Sequence, residues 1–600
     1  MKKTLSKILF FALLFGAFAD DGGSYYPEDW TYGNIYVKEP NDKIALEKEL
    51  MIVEQDSRLD YVEKIKKCTK VLGEEVEAIF GFKNTTAQKV VVPCAFPVVV
   101  TTQVTTKKNG KISNIIHVGN GFNSKVELIS LALGRKLNQQ EGENTADWGW
   151  SLNATKEEFL SLDKKLKTLS IDEYLALFKE IGGSETLAPC VIVQDGKDVR
   201  VQTVGIETSI ERHDSFTEDC RSEYYAQYGD DEVYTLKVVL HFFHELTFKP
   251  NASSVLSVKY AISTNKGGRK YERRFCYDIS TGGTWKGDIK SFVLFTDSSV
   301  NVENSIAKFE ITDLGEMFGT SRVYLYATEN YKPQKNEYFE FSLRSSDDYY
   351  DGEVYLQNRD GMQDFVSGVR ASSELSGTYK MAGTKKDEYD RDNTSDRNSD
   401  DNLVTSTYEA KTSFDGNLLN GWVEGVKGDG IGEWIEFTLS KNVIGPFATN
   451  GLRRFGGSLK GVLNPDTYGY CSYDYDDENY KVYKKAGGII GAWESNNRVK
   501  SMSLSRDGKS VAQLDFYDRC LEVFTVPGDW IGQNAIKNPQ FLQKGTYRMK
   551  IDSVYKGKKW DDTVLGEVWF IPIEDNAAKI ILNDDFFKKP ITQEISQMLK

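Results

Sequence analysis

His241-Phe-Phe-His244-Glu245 is the first grouping that could do chemistry, since two imidazoles and a carboxylate on one surface can hold zinc and move a proton. A zincin needs HExxH on a helix, whereas Leu236 to Phe248 is β-branched and aromatic. Three apart on a strand, the two imidazoles point to opposite faces, so strand histidines are expected rather than a metal site. His117 and His213 complete the four histidines and leave few candidates for a general base; His213 beside Asp214 reads as a loop pair. Gly428-Asp429-Gly430-Ile431-Gly432 imitates half of a phosphate-binding loop. The dinucleotide fingerprint runs strand, glycine turn, helix, but Glu433 to Leu439 continues as a strand, so a glycine hairpin is expected. No GxSxG elbow and no Walker pattern occurs. Carboxylate pairs such as Asp561-Asp562 are common in so acidic a chain and alone nominate no glycosidase. Asp387 to Asn402 lacks the central glycine and terminal Glu of an EF-hand and reads as a solvated acidic loop.

The elements that must carry these groups are constrained by composition. The chain has 600 residues, with 75 Lys+Arg against 89 Asp+Glu and a net charge of −14, which argues against a nucleic-acid surface. At roughly 100–200 residues per domain, the length implies two to four units. Tyr and Phe number 32 each and Pro only 13, a balance that favours strands. Residues 1–19 read as a secretory signal: Lys2, Lys3 and Lys7 precede an apolar stretch from Ile8 to Phe18, and Ala17-Phe18-Ala19 supplies the cleavage pattern. That apolar run is about a dozen residues where a spanning helix needs roughly 17–25. The expected product is exported, periplasmic or at the cell surface, with no transmembrane segment once the signal is removed. Cysteines stand at 68, 94, 190, 220, 276, 471 and 520, with no CxxC motif and no basis for a zinc cluster. Export permits disulfides, but a chain of this size needs no staples, so buried free thiols are expected as much as bridges; if bridges form, Cys471–Cys520 is the first expectation and Cys190–Cys220 the second, with one thiol unpaired.

Alternation in Leu46 to Val53 and Val76 to Phe82, and the apolar run Val90 to Val99 broken by Pro93 and Pro97, read as strands of a layered unit. Between about 121 and 183 the period becomes helical, with capping boxes at Thr155-x-x-Glu158 and Ser170-x-x-Glu173 and a stop at Gly182-Gly183. Strands return from 186 to 345. The acidic stretch 344–366 reads as a linker, and a second β unit follows. There Ile435, Phe437 and Leu439 share one strand face, and Tyr547, Met549 and Ile551 alternate with Arg548, Lys550 and Asp552, as in a sandwich. Lys385 to Asn402 and Asn464 to Lys485 are expected as insertions, and residues 584–600 as an amphipathic helix.

One block is more specific. It runs through Ala371-Ser372-Ser373-Glu374-Leu375, Phe414-Asp415-Gly416 and Gly421-Trp422-Val423-Glu424-Gly425 to Gly432-Glu433-Trp434-Ile435. It resumes at Asn496-Asn497-Arg498-Val499-Lys500 and at Val554-Tyr555, then Trp560-Asp561-Asp562-Thr563 to Glu567-Val568. Over about 367–575 it resembles the NADase-type glycan-binding domain, a discoidin-like (coagulation factor 5/8 type C, galactose-binding-like) jelly roll found beside bacterial NAD glycohydrolase toxins. The resemblance implies that loops at one end hold sugar, through Trp422, Glu424, Trp493, Asn497, Arg498, Asp561 and Asp562. Sugar recognition needs an aromatic face and rigid polar groups, which these residues supply by type. Trp493 departs from the family's usual NGY-like stretch. The resemblance also implies a structural Ca2+ held by Asp415 and Glu567 with backbone carbonyls of 412–420. The toxin enzyme follows the module in that family, and is not expected in residues 576–600, which are too few for it. In the N-terminal half, Ile44 to Val53, Val76 to Thr85, Pro93 to Pro97 and Arg274 to Ile289 are similar to an exported bacterial family of unknown function.

The fold class expected is mainly β. An N-terminal β-sandwich-like unit (20–345) carries a helical insertion and is followed by a linker (346–366), a C-terminal discoidin-like jelly-roll β-sandwich (367–575) and a tail (576–600). The function expected is non-catalytic carbohydrate binding or adhesion, the partner being cell-wall or host glycan. The alternatives are a glycan-targeted hydrolase with its site near Trp285, His241 or His244, and a structural envelope protein.

Overall fold

The computed structural model describes residues 30–598, except 34, 38–40, 55–73, 107–114, 120–122, 142–148, 184–186, 188, 214–231, 263–272, 297–299, 305–309, 317–321, 335–337, 344–363, 383–402, 417–419, 453–489 and 519–533. The expected signal peptide, most of the expected linker, both expected sandwich insertions, and Cys68, Cys220, Cys471 and Cys520 lie outside the described residues.

The chain is mainly β. Its N-terminal unit is two sheets packed face to face. The larger runs in the order Val300–Asn304, Tyr338–Leu343, Arg273–Asp278, Trp30–Gly33, Val90–Thr106, Glu232–Phe248, Thr203–His213, Lys165–Ser170. The smaller runs Lys197–Val199, Val191–Gln194, Ser253–Ile262, Glu74–Asn84, Ile44–Glu54, Ile289–Thr296, Arg322–Tyr331, Glu310–Glu316. Alternate residues meet between them: Met51, Phe80, Phe96, Phe242, Leu294 and Tyr326 share one core.

Two sequence expectations change here. Val90–Thr106 is unbroken by its prolines. Its neighbour 30–37 registers against 94–95 and 98–100 but not against 93 or 97, while Glu232–Phe248 on the other side runs opposite both, Glu245 against Pro93 and His241 against Pro97. The stretch 121–183 is no purely helical insertion. Asn123–Leu133, Lys156–Leu160 and Ile171–Ile181 are helices, but Gln139–Glu141, Gly149–Thr155 and Lys165–Ser170 are strands that join the larger sheet. Both capping boxes form, and Gly182 ends its helix at φ +72°. Finally, among the described residues Cys94 and Cys190 are buried free thiols, as one of the two expectations for the cysteines had it; Cys220 lies outside the described residues.

The C-terminal unit is a sandwich. One layer contains Val366–Ala371, Trp434–Leu439, Gly545–Tyr555, Asn497–Arg506 and Lys509–Asp515; the other contains Trp422–Val423, Thr563–Pro572, Val443–Asn450 and Gln540–Leu542. A short parallel pairing, Asn497 with Thr563 and Arg498 with Val564, joins the layers along one seam. Ile435, Phe437, Tyr547 and Met549 meet Trp422, Leu565, Val568 and Phe570 between them. Phe365, at the end of the expected linker, already belongs to this core.

The two units share a third core. Leu50, Ile52, Val293, Phe295 and Leu325 point outward from the smaller N-terminal sheet, and Ile444, Phe447, Trp569 and Ile571 point outward from the second sandwich layer. Helices Asp575–Leu582 and Asp585–Met598 fill the space with Ile580, Ile581, Phe587, Ile591 and Ile595. Lys48–Asp584 (2.5 Å) and Lys579–Glu329 (2.6 Å) tie the helices to the N-terminal sheet, and Asn442 Nδ2 donates to Asp575 (2.8 Å) from the sandwich. The described residues of the expected tail, 576–598, thus act as a wedge between the two units. The second layer is buried on both faces, the physical reason for the apolar run Val568 to Ile571.

Candidate functional site

Three loops gather at one end of the sandwich: 424–432, 493–497 and 556–562. Glu424 organises them. Its Oε1 accepts the amide of Thr563 (3.0 Å) and its Oε2 that of Val426 (2.9 Å), and it is fully buried. Burial raises its pKa, and these two amides oppose the rise. Gly430 is required at φ +65°, because a Cβ there would lie 2.4 Å from Glu424 Cγ. Asn497 Nδ2 donates to the Asp561 carbonyl (2.7 Å) and Asp429 Oδ1 (3.3 Å), while its Oδ1 accepts from Gly557 N (2.8 Å). Lys556 pairs with Asp429, whose carboxyl it holds below the usual range. Arg498 makes a bidentate pair with Asp518 (2.8 and 3.2 Å) and lies 4.1 Å over the Trp493 ring; Trp493 Nε1 donates to Asn450 O (2.7 Å).

This geometry corrects the assignment of sugar ligands. Trp422 is 0% exposed and donates its Nε1 to Ser373 O, so it offers no face to a ligand. Glu424, Asn497 and Arg498 are buried with their polar groups committed inward, because the seam that joins the layers must satisfy its own backbone there. Trp493 is half-buried beneath Arg498. Asp561 is exposed and Asp562 half-buried; burial, then the Asp561 charge, raises the Asp562 pKa.

The aromatic group presented at this end is Trp560, 41% exposed, with Lys559 Nζ 4.3 Å over its ring. Its loop is fastened by Lys558 N and Trp560 N to the carbonyls of Glu494 and Ser495 (both 2.8 Å). Val426 and Ile431 are also exposed. Trp560 stood in the quoted motif beside Asp561, but nothing in one-dimensional spacing separates an outward indole from an inward one.

Asp415 and Glu567 meet at the turn that precedes the second layer. Glu567 Oε1 accepts from Gly416 N (2.9 Å), and Asp415 Oδ2 accepts from Asn420 Nδ2 (2.7 Å). Asn420 was missed by sequence reasoning; it is buried, and its Oδ1 has no hydrogen-bond partner. An oxygen left without a donor, beside two carboxylates, fits a hard oxygen-seeking cation such as Ca2+.

In the N-terminal unit, the residues nominated for hydrolysis do not converge. Trp285 is buried with Nε1 bonded to Ile35 O (3.1 Å), His241 sits on the outer strand face against Glu207 (3.2 Å), and His244 points inward with Nδ1 on Phe242 O (3.0 Å). Cys94 lies directly opposite His244 across the strands, a thiol–imidazole pairing that sequence reasoning did not see. Burial pushes the thiol well up and the imidazole down to about 4, keeping both neutral, the reverse of an activated pair.

Fold and site together define the C-terminal part as a discoidin-like β-sandwich domain. Residues 378–446 match the family described as the NAD glycohydrolase translocation F5/8 type C domain, a stretch that includes Asp415, Trp422 and Glu424 and ends before Trp493. No curated protein matches the chain. Among solved structures, a candidate nutrient-binding protein of Legionella pneumophila is similar at 12% identity over 53% of this chain and 72% of that one, with a TM-score of 0.23. No described helix is long and apolar enough to cross a membrane.

Proposed function

We propose that this is an exported, non-catalytic carbohydrate-binding protein whose C-terminal sandwich meets glycan at the loop end around Trp560. The observation that carries the reading is an indole left 41% exposed on a loop fastened on both sides, beside the uncovered carboxylate of Asp561. Aromatic surface for sugar C–H groups and fixed acceptors for hydroxyls are what carbohydrate recognition requires. The match of residues 378–446 to the F5/8 type C domain family supports the same class of ligand. In this reading Glu424, Asn497 and Arg498 position the loops, Asp561 and Asp562 accept hydroxyls, and Ca2+ held by Asp415, Asn420 and Glu567 stiffens the preceding turn. The shared core then makes the N-terminal unit a rigid mount. A glycan array probed with the full chain tests the proposal. Binding that survives Trp560→Ala unchanged would overturn the loop-end site.

A further inference from the structure

A second feature lies on the open face of the first sandwich layer, away from the loop end. Glu436 is flanked on neighbouring strands by Arg370 and Arg548. Arg370 directs Nε (2.8 Å) and Nη2 (2.5 Å) to Glu436 Oε1, and Arg548 directs Nε (3.1 Å) and Nη2 (2.7 Å) to Oε2. The Nη1 amino group of each therefore has no protein partner among the described residues. Trp434 backs both: the Arg548 guanidinium lies 3.9 Å from its ring centroid and that of Arg370 5.7 Å. The Arg370 side chain is 66% exposed and that of Arg548 42%, against 13% for Glu436. Burial pushes the Glu436 carboxyl up, but the two guanidiniums more than offset it, so it stays ionised and holds both arginines in place.

We propose that Arg370 and Arg548 form a clamp for an oxyanion carried by an acidic polysaccharide. Two guanidiniums against one carboxylate leave one positive charge at a fixed place on a chain whose net charge is −14. Charge complementarity therefore selects an anionic unit. Each guanidinium, with Nε and one N–H of Nη2 turned to Glu436, keeps the edge formed by Nη1 and the second N–H of Nη2, a fork that suits a carboxylate or sulfate. Around them the sheet face is rich in hydroxyl and amide groups: Thr438 bonds Thr546 (3.0 Å), Ser503 donates to Asp552 (2.5 Å) and Gln513 to the same carboxylate (3.3 Å). Such a surface suits an extended, hydroxylated chain better than an apolar peptide. The clamp shares with the loop-end reading only the premise that the sandwich meets carbohydrate.

The test is affinity electrophoresis and calorimetry of the full chain against polygalacturonate, dextran sulfate and neutral dextran. The expected result is binding to an anionic polymer at least about tenfold tighter than to dextran, weakening as salt rises. Tighter binding to polygalacturonate assigns a carboxylate, and tighter binding to dextran sulfate a sulfate ester. Arg370→Gln with Arg548→Gln should lose at least about tenfold while remaining folded by circular dichroism, with a lowered melting temperature because Glu436 loses both charge partners. Arg370→Lys with Arg548→Lys keeps the charge but not the fork and should lose severalfold. No preference for either anionic polymer, or a glutamine or lysine double variant that binds as the wild type does, overturns the clamp. Trp560→Ala separates the sites: it should leave polyanion binding intact.

Discussion

Replacing Trp560 by Ala probes the loop end directly. A Trp side chain offers roughly 150–250 Å2 for burial. At 41% exposure, about 60–100 Å2 of it faces water and is available to a sugar ring. Covering that area at about 25 cal/mol per Å2 stabilises a complex by about 1.5–2.5 kcal/mol. At about 1.4 kcal/mol per tenfold, Trp560→Ala should weaken binding about 10- to 70-fold. The loop should keep its place, because it is fastened by the backbone amides of Lys558 and Trp560 to the carbonyls of Glu494 and Ser495, which the substitution leaves in place. Titration calorimetry with the best ligand from an array measures the first quantity and thermal unfolding the second. Trp493→Ala is the informative contrast. That ring supports Arg498 and donates to Asn450, so its loss should cost roughly 2–3 kcal/mol of stability, somewhat less than full burial would imply. A Trp560→Ala protein that binds within twofold of wild type, for a ligand shown to engage the sandwich, refutes the assignment of the loop end.

Three further outcomes follow from the same geometry. Phe587→Ala empties part of the core shared by the helices and both units, and should cost about 3–5 kcal/mol in denaturant unfolding; a wild-type protein with two separate transitions, neither moved by the substitution, would contradict a common core. If Asp415, Asn420 and Glu567 hold Ca2+, EDTA should lower the melting temperature and added Ca2+ restore it, with Asn420→Ala insensitive to both; an unchanged wild-type melting curve in EDTA rejects the cation. Burial disfavours the imidazolium and lowers the His244 pKa to about 4 in the fold, from the ordinary 6.5 of an exposed imidazole. The unfolded chain therefore binds more protons between those values, and the stabilisation is complete above about pH 6.5 and lost as pH falls toward 4. It amounts to about 3 kcal/mol, and His244→Leu should flatten the stability profile over that window.

Much of the architecture was legible from residue order alone. Period-2 alternation placed Ile435, Phe437 and Leu439 on one face and Arg548, Lys550 and Asp552 on another, because side-chain direction in a strand follows position. Capping boxes at Thr155 and Ser170 were equally local, since three residues contain all the donors and acceptors involved. The strand spacing of His241 and His244 already placed them on opposite faces. Only the tertiary structure decided what each polar group in the loop motif faces. Glu424, Asn497 and Arg498 have the chemistry of ligand-binding residues, but the seam between the layers supplies their partners from Thr563, Gly557 and Asp518, between 20 and 139 positions away. The same non-local packing turned the last residues into a wedge, left Trp560 rather than Trp422 facing solvent, and brought Arg370 and Arg548 onto one carboxylate from strands far apart in the chain. Residue type and spacing determine what a side chain can bond; which bonds remain for a ligand is settled only when the fold has satisfied its own.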